Sequence, residues 1–300
     1  MIAFHQHQCR LERVIDMRRW TSSLILSILS LGLVVPGPVV PVQVVHAGEK
    51  AGDNADPLNS PMWEEMRAQF FGDRRYEFDA RVKVSVPSVV ENQAQVPVTV
   101  DARQLSDVRK VVVFADLNPV QHALTLTPHD AAPYVAFRMK VEQATPVRAA
   151  ALTGDGVWHV GGQYLEAAGG GCSSPAMARN KPDWSLTVGN TRGRAWRQAD
   201  GMSRLRMTIK HPMDTGLTRD NIPAFFIEQL RVRSTGGKVL ATIEMREPVS
   251  EDPTLTMLVR QPFGENLIGV EGRDIGGNVF SSKIDTTWRE SRLDNAKRAE

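Results

Sequence analysis

Arg204-Leu205-Arg206-Met207-Thr208-Ile209 alternates strictly: Leu205, Met207 and Ile209 face one way, Arg204, Arg206 and Thr208 the other. A period of two puts one row of side chains on each face of a pleated strand, so this stretch reads as β with one apolar face. Val239, Ala241, Ile243 and Met245 repeat the pattern, and residues 225–232, 255–259, 267–270 and 279–284 complete a six-stranded set. Upstream, residues 80–86 alternate, 96–100 follow, and 111–114 form a continuous apolar run. With 134–139, 147–152 and 164–168 they make a second set, separated by turn formers.

One short amphipathic helix precedes the strands over residues 61–70, with Ser60 as N-cap and Pro61 at the first helical position. The stretch 169–196 is rich in Gly, Ser, Pro and charge and reads as an arm plus linker. The chain therefore divides into a leader (1–47), a first β domain (60–168), the arm and linker (169–196) and a second β domain (197–290). Two runs of about a hundred residues, all strands and turns, fit an all-β fold of two immunoglobulin-like β-sandwich domains. The polar linker favours two sandwiches packed on each other over one larger sandwich.

The leader carries Arg18-Arg19-Trp20 after Met17, an apolar run over 24–35, and Val45-His46-Ala47 before a cut. A basic start, an apolar run short of a membrane span and a small residue at the cut mark a secretory signal. An N-terminal anchor is the competing reading, because 39–45 prolongs the apolar character. Arg18-Arg19 leaves both the general and the twin-arginine export routes open. The chain has 36 basic and 34 acidic side chains, of which the leader holds four and two. The balanced remainder gives no support for a nucleic-acid or anionic-membrane partner.

Cleavage after Ala47 removes Cys9 and leaves Cys172, in Gly169-Gly170-Gly171-Cys172-Ser173-Ser174-Pro175. An internal disulfide is then excluded, which leaves a buried inert thiol, an intermolecular disulfide or a reactive site. Three glycines in a row lose much backbone entropy on ordering, and no neighbour of Cys172 is apolar enough to bury it. The segment is expected to be mobile and its thiol exposed. An unperturbed thiol has a pKa of about 8.5 and is only a few per cent thiolate at pH 7, so activation falls to whatever the arm meets.

Other residues invite weaker readings. A cysteine transpeptidase or hydrolase would pair Cys172 with His159, His122 or His129, none of which sits in a nucleophile motif. His122 and His129 read as solvent-facing loop residues, and no metal site is expected. His211 reads as a turn or interface residue, Asn118-Pro119 as a turn, and Asp274 with Gly276-Gly277 as a hairpin. Trp184, Trp196 and Trp288 cover sheet edges or meet partners, and the tail 289–300 is charged.

Several motifs resemble a known family. Val90-Glu91-Asn92, Val96-Pro97-Val98, Asn118-Pro119 and the glycine-rich cysteine segment resemble SoxY, the sulfur-carrying subunit of bacterial thiosulfate oxidation. Lys210-His211-Pro212-Met213-Asp214-Thr215-Gly216, Ile222-Pro223-Ala224, Ser250-Glu251-Asp252-Pro253 and Asp274-Ile275-Gly276-Gly277 resemble its partner subunit SoxZ. The order matches the single-chain SoxYZ-like carriers associated with quinoprotein dehydrogenases. The resemblance implies a periplasmic carrier rather than an enzyme. Cys172 would be the attachment point, Gly169, Gly170 and Gly171 the swinging arm, and the covalent cargo would replace any cofactor. Implied partners are periplasmic redox or sulfur-oxidising enzymes, a quinoprotein dehydrogenase or c-type cytochrome among them. A non-covalent accessory of such a dehydrogenase is the alternative. Two features depart from the family: Ser173 and Ser174 replace glycines after the cysteine, and the arm is not a terminus.

Overall fold

Val111-Val112-Val113-Phe114 lies in a strand that is buried on both faces, which is why its sequence is apolar throughout rather than alternating. The computed structural model describes residues 55–288, so the leader with Cys9 and the tail from residue 289 lie outside the described residues. Val111 and Val113 point into a large core shared by two stacked layers of strands. Val112 and Phe114 point outward onto a helix, α1 (Trp63–Phe71). Trp63, Met66 and Phe71 of α1 pack there with Ala150, Trp158 and Val160. The helix begins near the expected place, but Met62 is its N-cap and the Ser60 hydroxyl accepts from the Met62 N–H at 3.3 Å.

The strands of the first half are β1 (Tyr76–Phe78), β2 (Lys83–Ser85), β3 (Val96–Asp101), β4 (Val108–Ala115), β5 (His122–Pro128), β6 (Ala131–Met139), β7 (Thr145–Thr153) and β8 (Trp158–Leu165). A 3₁₀ turn (Met177–Asn180) and a one-turn helix, α2 (Trp184–Thr187), follow. The second half holds β9 (Thr191–Arg197), β10 (Ser203–Ile209), β11 (Ile227–Ser234), β12 (Val239–Met245), β13 (Thr254–Val259), β14 (Leu267–Asp274) and β15 (Val279–Trp288). In β10 the alternation is realised as read: Leu205, Met207 and Ile209 are buried while Arg204 and Arg206 are exposed.

Three strands escape the sequence pattern. β1 pairs in parallel with β8 and is only three residues long, β5 follows directly on the Asn118-Pro119 turn, and β9 lies inside the segment expected to be linker. Expected strand 164–168 is also shifted, since β8 ends at Leu165.

The chain is all-β as expected, and its two sandwich halves are joined to each other by strand pairing. β5 pairs antiparallel with β12, setting Leu126 opposite Ile243, and β6 pairs antiparallel with β13, setting Val135 opposite Met257. Both layers thus run on from one half to the other, and one core cluster includes Val113, Met139, Leu205 and Ile243. Strand edges that each half would expose alone are closed by the other half. The described residues form a single compact unit, and no helix among them is long and apolar enough to cross a membrane.

Candidate functional site

The chain leaves β6 through Lys140, Val141 and Glu142, and the cysteine arm lies along this exit. The Gly171 N–H donates to the Val141 carbonyl at 2.9 Å and the Gly170 N–H to the Glu142 carbonyl at 3.3 Å. Glycine is required for the approach. A Cβ on Gly171 would stand 2.2 Å from the Gln93 carbonyl oxygen and 2.6 Å from that of Val141, and one on Gly169 would stand 2.4 Å from that of Glu142. Gly169 and Gly170 also have φ of 99° and 88°, in the region that side chains resist.

Glu142 clasps the tip of the arm. Its Oε2 accepts from the N–H groups of Cys172 and Ser173, both at 3.0 Å, and its Oε1 accepts from the Ser173 hydroxyl at 2.9 Å. Asn118 holds this exit in place: its Nδ2 donates to the Lys140 carbonyl at 2.9 Å and its Oδ1 accepts from the Glu142 N–H at 3.0 Å. Asn118 is thus more than a turn former, because its buried amide fixes the backbone that carries the clasp.

The second half closes over the thiol from the other side. The Thr215 hydroxyl donates to the Cys172 carbonyl at 2.6 Å. Arg179 donates to Asp214 Oδ2 through Nε at 2.9 Å and Nη2 at 2.6 Å, with its guanidinium carbon 4.3 Å from the centre of the Trp184 ring. The Ala178 N–H donates to Glu251 Oε2 at 3.2 Å. Between the halves, the buried Lys140 ammonium donates to the carbonyls of Met213 and Glu247.

Cys172 is 1% exposed, so the expectation of an exposed thiol is corrected. Its sequence neighbours are indeed too small and polar to cover it. The side chains that hold its backbone in this buried place lie 30 positions before and 43 after, which local sequence does not reveal. Burial pushes the thiol up to about 12, the Glu142 carboxylate adds to the rise and Lys140 opposes it. Burial likewise draws Lys140 down to about 8. Docked, the sulfur is a neutral thiol throughout the physiological range and a poor nucleophile.

The histidines considered as catalytic partners are engaged elsewhere. His122 lies in β5 rather than a loop, with Nε2 2.9 Å from Thr125 Oγ1, and burial lowers it to about 4. His129 is exposed, 3.1 Å from Thr242 Oγ1. His159 Nδ1 sits 2.8 Å from both Glu77 Oε1 and Asp79 Oδ2, because parallel pairing sets Glu77 opposite His159. These three could offer ligand atoms to a cation, a grouping invisible without the β1–β8 pairing. Asp79 is held at about 2, chiefly by hydrogen bonding to Arg81, so internal partners already account for its charge.

His211 is buried in the loop that covers the arm. Its Nδ1 accepts from the Met213 N–H at 3.0 Å, which places its hydrogen on Nε2, 3.6 Å from Asp274 Oδ2. Burial keeps it neutral and well below its ordinary value. It shapes the turn that delivers Asp214 and Thr215.

Comparison with known proteins agrees with this division. The family model for sulfur oxidation protein SoxY matches residues 67–172, ending on the cysteine, and that for sulphur oxidation protein SoxZ matches residues 192–285. Among solved structures, the sulfur carrier protein SoxY from Chlorobium limicola f thiosulfatophilum is similar at 20% identity over 35% of this chain and 94% of that one, with a TM-score of 0.32. A glycosyl hydrolase family 2 member from Bacteroides cellulosilyticus is similar at 16% identity over 68% of this chain and 28% of its own, with a TM-score of 0.21. No curated protein sequence matches. With SoxY and SoxZ domains in tandem and the first ending on Cys172, the chain belongs to the fused SoxYZ-like sulfur-oxidation proteins.

Proposed function

We propose that this protein is a covalent sulfur carrier: Cys172 holds a sulfur intermediate, thiosulfate-derived or related, on an arm hinged at Gly169, Gly170 and Gly171 and presents it to partner enzymes. The observation that carries this reading is the coincidence of the end of the SoxY match with Cys172. The arm beneath that cysteine is attached by a few hydrogen bonds and no side-chain packing of its own glycines. Such contacts can be exchanged for those of a partner's site at modest cost.

The protein supplies no catalytic base for the sulfur in this reading. The docked thiol is neutral, His211 has its acceptor nitrogen Nδ1 taken by the Met213 N–H, and Lys140 is committed to two backbone carbonyls. Activation falls to enzymes that receive the undocked arm. Those partners are periplasmic sulfur-oxidising or redox enzymes, a quinoprotein dehydrogenase or c-type cytochrome included, reached by export through the 1–47 leader. The cargo, rather than a bound cofactor, is the chemically active group.

Intact-mass measurement of protein taken from its native periplasm tests the reading. Sulfur-containing adducts confined to the peptide of Cys172, and absent from Cys172→Ser, are expected. Unmodified Cys172 under conditions of active sulfur oxidation, with Cys172→Ser retaining full activity, would favour a non-covalent accessory role.

A further inference from the structure

The clasp on the arm is made by a negative charge. Glu142 places both carboxylate oxygens on the arm tip, and the sulfur that the tip carries is almost fully withdrawn from water. Among the described residues the cation whose charge acts on the thiol is Lys140, and its ammonium is turned to the carbonyls of Met213 and Glu247. Asp214, Glu247 and Glu251 surround that same ammonium electrostatically, so its charge is shared among several carboxylates. A dock built this way tolerates a neutral sulfur and opposes a negative one.

We propose that Glu142 sorts the states of the arm by charge: it keeps the arm docked while Cys172 is a neutral thiol and turns it out when the sulfur bears an anionic group such as a sulfonate. This rests on the carrier reading, since only a carrier alternates between empty and loaded states. Glu142 is a positioning residue here, acting on the arm rather than on the reaction. The empty thiol is shielded from oxidants and from stray disulfide exchange. The loaded arm, repelled from its dock, is released to partners without any input from them. The hinge of the moving segment lies in the glycines before Cys172, where Gly169 and Gly170 have φ of 99° and 88°. Release leaves the strand pairing on either side intact.

The test uses three labels of matched length, added to Cys172 of the full chain with methanethiosulfonate reagents: 2-sulfonatoethyl (anionic), 2-hydroxyethyl (neutral) and 2-(trimethylammonio)ethyl (cationic). In each reaction the sulfur of Cys172 attacks the reagent's sulfenyl sulfur. A disulfide forms, methanesulfinate leaves and the thiol proton passes to solvent. Deuterium uptake by the amides of Gly170 to Ser173 reports docking. The anionic label should speed exchange by about tenfold over the neutral one, the factor expected from one like-charge contact. The cationic label should not. In Glu142→Gln the ratio of anionic to neutral should fall to near one. Ser173→Ala, which removes one clasp bond and keeps the charge, should speed exchange with every label and preserve the ratio. Equal exchange with the anionic and neutral labels in the wild type, or an unchanged ratio in Glu142→Gln, would overturn the proposal. Because the labels are synthetic, these results stand apart from the native-adduct measurement that tests the carrier reading.

Discussion

Arg179, seven residues beyond Cys172, sets Nε and Nη2 on one oxygen of Asp214, at 2.9 and 2.6 Å. Asp214 is buried and its other oxygen has no hydrogen-bond partner, so the guanidinium supplies the direct ion pair that, with the Lys140 charge, compensates it. The pair ties the segment after the cysteine to the SoxZ half, at a position between the two family matches. Arg179→Gln should loosen this latch by about 1–3 kcal/mol, the cost of leaving a buried charge less well paired. We expect iodoacetamide to label Cys172 about tenfold faster or more in the variant. An unchanged labelling rate would show that the arm stays docked without the Arg179–Asp214 pair.

A cut in the connecting segment should not part the halves. Cleavage at a protease site inserted between Thr187 and Asn190 leaves the β5–β12 and β6–β13 ladders and the shared core in place. The fragments should co-elute in size exclusion at micromolar concentration. Two separate peaks would mean that the ladders depend on the covalent link.

Much of this was legible in advance, and what was hidden has a common cause. Leu205, Met207 and Ile209 announced their strand because each faces a core on one side only. The run Val111 to Phe114 announced burial but not its geometry, since one face meets the main core and the other meets α1. The dock could not be read at all. Cys172 sits among glycines and serines, and its backbone is held by Glu142 and Thr215, which are remote in sequence and ordinary in kind. Asp214 and Thr215 did stand within a motif, yet nothing in the motif says that it closes over a thiol.

Alkaline pH should expose the dock's preference for a neutral sulfur. The thiol, ordinarily at about 8.5, is pushed up to about 12, first by burial and then by Glu142. Between these values the folded protein holds a proton that the unfolded chain has lost, so this contribution is complete below about pH 8.5 and falls as pH rises towards 12. Lys140, lowered by burial, titrates in the opposite sense, with Cys172 first among the charges that raise it. The stability advantage of wild type over Cys172→Ala in urea should therefore shrink from about that pH upward. A constant difference would mean that the thiol ionises as freely folded as unfolded.

Among the described residues Arg148 is the largest fully buried side chain, and it joins the segment at Asp56 to the sheet. Its Nε lies 3.1 and 2.9 Å from the two oxygens of Asp116, its Nη2 lies 2.7 Å from Asp56, and its guanidinium carbon is 4.6 Å from the Trp63 ring centre. Arg148→Met keeps an apolar stem but strands the buried Asp116 carboxylate, at a cost of about 3–5 kcal/mol. Urea unfolding measures this, and Arg148→Met with Asp116→Leu should recover most of the loss. A single variant within about 0.5 kcal/mol of wild type would show the ion pair to be dispensable.

The sharpest separation of docking from folding lies in the arm glycines. A methyl group on Gly171 would meet backbone on two sides, the Gln93 carbonyl at 2.2 Å and the Val141 carbonyl at 2.6 Å, and neither can yield without moving the β6 exit. A methyl group on Gly170 meets nothing within 4 Å, and only its φ of 88° resists, costing about 1–2 kcal/mol. Gly171→Ala should therefore undock the arm, bringing thiol labelling close to the rate seen in denaturant. Gly170→Ala should shift the rate much less. Neither residue contributes to the shared core, so the urea midpoint of both variants should stay near that of wild type. Wild-type labelling in Gly171→Ala would mean that the arm does not lie against residues 93 and 141. A collapse of the midpoint would mean instead that the dock is part of what holds the two halves together.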